Sequence, residues 1–121
     1  MIADAPPAFE CPAPAFHDGD NIRCAGGKAM RLAGIDAPEF EGSRKCGRRG
    51  VTCDNVAAGR SRDHLRSLAK QGPVRCRIVD ASPRMAGFQR ADRYGRPIVR
   101  CRVGGVDLGE AQVRAGMARR W

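Results

Sequence analysis

Lysine is scarce in this chain. Only Lys28, Lys45 and Lys70 occur, so the formal charge of +9 rests on arginine. Arginine presents a planar fork that matches phosphate bidentately, where lysine offers a compact point charge. A positive field of this size favours polyanions such as nucleic acid. Charge alone does not separate that reading from an ordinary basic soluble protein. Aromatic residues make up only 5% of the chain, which argues against an extended platform for stacking bases. The two histidines, His17 and His64, are far apart, and no two cysteines form a C-x-x-C pair, so a zinc site is not expected. No apolar run is long enough to cross a membrane. Residues 1–10 also lack the apolar segment of a signal peptide.

What is present in quantity is cysteine. Six occur in 121 residues, a length that makes one domain and a modest core. A disulfide framework fits such a chain, and it implies an oxidising compartment. Secretion or export to a periplasm is therefore expected, with the sequence beginning after a removed signal. Residues 1–15, rich in Ala and Pro, read as an extended N-terminal arm tied at Cys11. Residues 16–121 read as the folded domain.

The chain then alternates short β signals with two helical ones. Phe16 to Ala25 reads as a hairpin around Asp18-Gly19. Gly26-Gly27 makes a turn, and Ala29 to Ile35 reads as one strand, ended by Ala37-Pro38. Glu41 to Asp54 is a loop with three glycines and four basic residues. Asp54 or Asn55 caps a helix that runs to about Lys70, with Val56, Leu65, Leu68 and Ala69 available for the core. His64 on this helix reads as a surface histidine without a catalytic role. Val74, Cys76 and Ile78 alternate with arginines, as do Val99, Cys101 and Val103, giving two strands with one apolar and one basic face. Met85 and Phe88, between those strands, are placed to cover the sheet or touch a substrate. Asp107 starts a last helix.

This reading pairs the cysteines. Cys11 and Cys24 lie at similar distances on either side of the Asp18-Gly19 turn. Cys46 and Cys53 close a small ring in one loop. Cys76 and Cys101 occupy inward positions on neighbouring strands. Of the fifteen pairings six cysteines allow, the expected one is Cys11–Cys24, Cys46–Cys53 and Cys76–Cys101.

Three stretches carry the chemistry. Asp18-Gly19-Asp20 brings two carboxylates together at a turn, which repulsion disfavours unless a cation is near. Arg31-Leu32-Ala33-Gly34-Ile35-Asp36-Ala37-Pro38-Glu39 places an arginine and two acids around a strand end and a fixed turn. Asp92-Arg93-Tyr94-Gly95-Arg96 precedes the last β-rich run. Taken in order, these resemble the staphylococcal nuclease (thermonuclease) family, and Gly105 to Ala118 resembles the helix that follows its barrel. The resemblance covers about Phe16 to Trp121. It implies an α+β fold: a five-stranded OB-fold β-barrel with two or three helices, here disulfide-stapled. It also implies a Ca²⁺-dependent nuclease that hydrolyses DNA and RNA and leaves 3′-phosphate ends.

Position by position, Asp20 and Asp36 match the family's metal ligands, together with the backbone carbonyl of Ala37, where the family often has Thr. Asp18 matches a supporting acid just outside the ligand set. Glu39 matches the general base or water-orienting residue, and Arg31 and Arg96 the two phosphate-binding arginines. Arg93, where the family has Lys, and Tyr94 match contacts to a terminal phosphate. The family's chain usually continues beyond the position of Trp121, so any role of that extension is expected to be absent or replaced. The protein is expected to act as a monomer, away from membranes. Two alternatives stand beside this reading: a non-catalytic nucleic-acid or polyanion-binding module on the same fold, and a disulfide-stapled basic protein with no active site.

Overall fold

A computed structural model describes residues 6–120; residues 1–5 of the arm and Trp121 lie outside the described region. The chain folds as α+β. In order it forms β1 (Phe9–Glu10), β2 (Asn21–Ile22), β3 (Met30–Leu32), β4 (Ile35–Asp36), α1 (Asn55–Ala69), β5 (Val74–Ile78), β6 (Ile98–Val103), β7 (Val106–Asp107), α2 (Leu108–Arg114) and β8 (Arg119–Arg120). The main sheet is mixed, with strand order β1-β5-β6-β3-β2 and β7 added to β6. β3 runs parallel to β6; the other pairs are antiparallel. β4 and β8 form a separate two-stranded ribbon.

The five-stranded closed barrel is not what forms. Among the described residues the sheet has six strands, and its ladder leaves β1 and β2 unjoined as the two ends. The segment that would close the ring contains Pro12 and Pro14, which have no N–H to offer a ladder. A partial tie replaces it. Ala15 and Arg23 exchange backbone hydrogen bonds, the N–H of Ala25 donates to the Pro12 carbonyl, and Cys11–Cys24 bonds across the gap. In the described part of the arm, residues 9–15 belong to the sheet and its tie, and the chain bends at Ala13, whose φ is +42°.

The other two bridges are Cys46–Cys53 and Cys76–Cys101, so the described region contains the three expected pairs. Cys76 lies directly opposite Cys101 in the β5–β6 register, with Arg75 opposite Arg102 and Arg77 opposite Arg100. Period-2 alternation therefore sends both sulfurs inward and all four arginines outward.

Ala29 to Ile35 is not one strand. Gly34 adopts a left-handed φ of +72°, which glycine reaches without strain, and the chain turns there between β3 and β4. That turn carries Asp36 away from the direction of β3. Helix α1 begins as expected at Asp54, whose carboxylate accepts from the N–H groups of Val56 and Ala57. Its inward face is Ala58, Ser61, Leu65 and Ala69, with Leu68 packed alongside. Val56 is not in the core; it sits in the first turn on the outer face, 71% exposed. Asp107 caps α2, accepting from the Glu110 N–H. The core beneath both helices is built from Ile22, Leu32, Ile35, Leu65, Val99 and Leu108 with the Cys76–Cys101 bridge. Met85 is exposed and Phe88 half-buried in the long connection before β6. No described helix is long and apolar enough to cross a membrane.

Candidate active site

The Asp18-Gly19-Asp20 turn is pressed against α1. A Cβ built on Gly19 would lie 1.7 Å from the Ser61 hydroxyl and 3.0 Å from the Ala37 Cβ, so only glycine permits this approach. Gln112, fully buried on α2, fastens the turn from the other side. Its side-chain amide donates to the Gly19 carbonyl (3.0 Å), the Ser61 carbonyl (3.0 Å) and the Ser61 hydroxyl (3.2 Å). The Gln112 oxygen is 2.5 Å from His64 Nδ1. His64 is thus half-buried and holds Gln112, rather than lying free on the surface.

This packing forces three carboxylates together. One oxygen from each of Asp18, Asp20 and Glu39 lies within 4.8 Å of the others, and all three residues are buried. Asp20 accepts from the Ala37 N–H at 3.0 Å, which draws the loop after β4 onto the turn. Glu39 is fixed by its own backbone: its N–H donates to the Thr52 carbonyl and its C=O accepts from the Asp54 N–H. The Ser43 hydroxyl donates to Glu39 Oε1 (3.1 Å), while Oε2 is buried with no hydrogen-bond partner. Burial, the neighbouring Asp20 carboxylate with its hydrogen bond, and the Glu39 charge push the Asp18 carboxyl up to about 8. It is therefore mostly protonated at neutral pH.

Arg31 stands behind the cluster, buried, with Nη1 3.8 Å from Asp20 and Nη2 3.5 Å from Asp36. Nη2 also donates to the Ile35 carbonyl at 3.0 Å. Asp36 does not join the carboxylate cluster. Its second oxygen accepts from Arg119 (3.2 Å), which faces it across the β4–β8 ribbon. The grouping thus differs from the expected ligand pair: Asp18 and Glu39 accompany Asp20, and Asp36 is held between two guanidinium groups. Ala37 is anchored at the cluster through its N–H.

Comparison of the chain with protein-family models and with curated proteins found no match.

Arg96 is set by the tight loop before it. Its N–H and the Tyr94 N–H donate to Asp92 Oδ1, and its Nε donates to Oδ2 at 3.0 Å. Burial pushes the Asp92 carboxyl up, but these N–H groups and the Arg96 guanidinium outweigh it and hold it below the ordinary range. Arg93 donates to the Tyr94 hydroxyl at 2.9 Å, and the Arg93 and Arg96 guanidiniums lie 5.0 and 5.6 Å from the Tyr94 ring centre. Hydrogen bonds from Arg48 and Arg93 lower the Tyr94 pKa.

Two concavities meet at this loop. One, of about 910 Å³, is lined by Asp18 and Glu39. The other, of about 690 Å³, is lined by Arg31, Asp36 and Arg93. Lys45, Arg48, Tyr94 and Arg96 line both. The expected catalytic residues are therefore close but not on one wall, and Arg96 alone among them faces both spaces. Sequence reading missed Gln112, Ser43, Asp92 and Arg119. Asp92 was legible as an Asx-turn acid four residues before Arg96. Ser43 likewise lies four residues from the Glu39 carboxylate it holds, whereas Gln112 and Arg119 act through long-range packing.

Proposed function

We propose that the protein is a secreted or periplasmic, divalent-cation-dependent nuclease that hydrolyses phosphodiester bonds of DNA and RNA. The observation that carries this is the cluster of Asp18, Asp20 and Glu39, with one carboxylate oxygen of Glu39 buried and unpartnered, of which Asp18 and Glu39 line a cavity together with Arg23, Arg44, Arg48 and Arg96. Burying a carboxylate oxygen without a partner is costly, and a bound cation is one group that would satisfy it. The donors are all hard oxygens, which fits Ca²⁺ or Mg²⁺ and not a soft metal. Ca²⁺ is the proposed ion, on the resemblance of the motifs. Asp18, Asp20 and Glu39 would hold it, with Asp36 and the Ala37 carbonyl nearby. A bound cation would neutralise charge on the phosphate and favour a hydroxide-like water.

The chain's own groups supply the rest. Glu39 is rigidly held at its backbone, so its carboxylate can orient a water with little entropy loss. Arg96, already shaped by Asp92, faces the cavity and can grip phosphate oxygens as charge builds on them. Arg31 steadies Asp20 from behind. Arg93 and Tyr94 contact a neighbouring phosphate. These contacts go to phosphate, so sequence preference should be slight. Three disulfides support an oxidising compartment. An OB-type strand arrangement, open rather than closed, belongs to the same proposal, as do 3′-phosphate products and a monomeric state. It is supported by the tie between the two sheet ends.

Incubation with plasmid DNA and with RNA, in Ca²⁺ and then in chelator, tests the reading. Cleavage that needs Ca²⁺ and is lost in Glu39→Gln supports it. Binding without cleavage would make the chain a polyanion-binding module, and neither would leave a stapled basic protein.

A further inference from the structure

The outer face of β5 and β6 carries an arrangement with a standing electrostatic cost. Arg75 faces Arg102 and Arg77 faces Arg100 directly across the two strands. All four are exposed. Like charges placed opposite each other destabilise a strand pair. One of the four, Arg75, has a surface partner, Glu10 at 3.7 Å. Among the described residues Arg77, Arg100 and Arg102 form no salt bridge. All four line a concavity of about 390 Å³.

That concavity is not isolated. Arg100 also lines the 690 Å³ space beside Arg31, which in turn shares Arg96 and Tyr94 with the space that holds Glu39. Three concavities thus follow one another, joined by arginines. Four acids lie along this route, each already engaged: Asp36 by Arg31 and Arg119, Asp92 by Arg96, Asp80 by the N–H groups of Ser82 and Gln89, and Asp107, opposite Arg102 in the β6–β7 register, as the cap of α2. Arginine charge is left facing outward along it. Same-face residues two apart on a strand are roughly 6–7 Å apart, so the ladder offers a regular row of forks to an anionic polymer.

The geometry points to a binding track for a nucleic-acid strand, running from the acid cluster past Arg96 and Arg100 onto the Arg75/Arg77/Arg102 ladder. The polymer's phosphates relieve the repulsion between the facing arginines. The polymer's identity rests on the nuclease reading; the residues of the ladder are distinct from the carboxylates and line a different concavity. Its consequence is a preference for long substrates over short ones.

The test uses labelled single-stranded DNA of four and of sixteen nucleotides, in chelator so that none is cut. The parent should bind the sixteen-mer far more tightly than the four-mer. In Arg77→Gln with Arg102→Gln, the sixteen-mer should bind at least about tenfold more weakly, as charge-assisted contacts are lost. The gain on lengthening should largely vanish. The slope of log affinity against log salt should fall by about 1.4, at roughly 0.7 per lost phosphate contact. The variant's melting temperature should equal or exceed the parent's, since facing charges are removed. A parent that cuts DNA but whose length dependence survives the substitution overturns the track and leaves the nuclease reading intact. A parent that shows the length dependence but cuts nothing supports the track and overturns the nuclease reading. Equal weakening of both oligomers, or tighter binding to phosphatidylserine vesicles than to the sixteen-mer, overturns the track.

Discussion

The acid turn and the basic loops are built in opposite ways. Asp18, Asp20 and Glu39 are buried, and the turn that carries two of them is clamped between α1 and α2 by Gly19, Ser61 and Gln112. Lys45, Arg48, Arg93 and Tyr94 stand on loops that lean on each other, on a disulfide and on one Asx turn. Mutual repulsion would scatter buried carboxylates, so only tertiary packing can hold them together. Arginines on a surface are solvated and need little support. A negative cluster therefore draws its precision from the fold, and a positive one from loop chemistry.

That contrast is broken most sharply at Glu39. Glu39→Gln should lower turnover on DNA by about 10²–10⁴-fold, the usual range for a positioned acid–base group. The melting temperature should hold or rise, because a buried negative charge beside two other acids is removed. Steady-state cleavage and a thermal melt on the same preparation decide it; unchanged turnover would remove Glu39 from the site.

The next effect is one of pH. The Asp18 carboxyl sits at about 8 in the fold against an ordinary 3.8. Between those values the folded state keeps a proton that the unfolded chain has released. Stability from this group is thus full below about pH 4, declines through the window and is lost above about pH 8, a span on the order of several kcal/mol without a cation. Denaturant midpoints of the metal-free protein at pH 5 and pH 8 should show a fall that Asp18→Asn lacks. Equal pH slopes in the two proteins would contradict the buried, protonated Asp18.

The disulfides divide along the same line. Opening Cys76–Cys101, buried in the sheet, should cost roughly 3–4 kcal/mol of stability for its loop length. Opening Cys46–Cys53 should cost roughly 2–3 kcal/mol but far more activity, because Cys53 pairs with Glu39 in an isolated bridge and Ser43 reaches the Glu39 carboxylate from that loop. Serine double variants, compared by melting and by turnover, should rank oppositely on the two scales.

The smallest effect sharpens the ligand set. Ca²⁺ at about a hundred times its dissociation constant should stabilise the protein by about 2.7 kcal/mol. Asp20→Asn should abolish that shift, whereas Asp36→Asn should leave most of it, since Asp36 is held by Arg31 and Arg119. Loss of the shift in both variants alike would return Asp36 to the ligands.

The parts of this architecture written in local pattern were legible in the sequence. The alternation of Val74–Ile78 and Val99–Val103 foretold both strands, their basic face and the bridge between Cys76 and Cys101. Asp54 foretold the start of α1. What escaped was long-range. Gly34 splits a run that alternates like one strand, and the sign of its φ is set by what surrounds the turn. Val56 lies on the helix's outer side, a matter of how α1 is rotated against the sheet. Gln112 is separated from Gly19 by 93 residues, so no spacing rule links them. The ring of strands expected from the motifs stays open because Pro12 and Pro14 interrupt the segment that would complete it. Among the acids of the motifs, only packing decided that Asp18 and not Asp36 stands with Asp20 and Glu39.

An open sheet has an outer boundary, and here it is β1. A free strand edge invites pairing by other chains. This one is two residues long, with Pro6 and Pro7 just before it and Pro12 just after. Those residues present no N–H to an incoming strand, so a second chain would find almost no ladder to extend. Beneath it, the longer β5 is shielded on that side by the pairs Phe9–Cys76 and Glu10–Arg75 and by the Cys11 N–H on the Val74 carbonyl. The arm therefore acts as a guard rail. Trimming it back to Cys11 would bare a five-residue, half-apolar edge, and the first sign of damage would be self-association in solution rather than loss of the core.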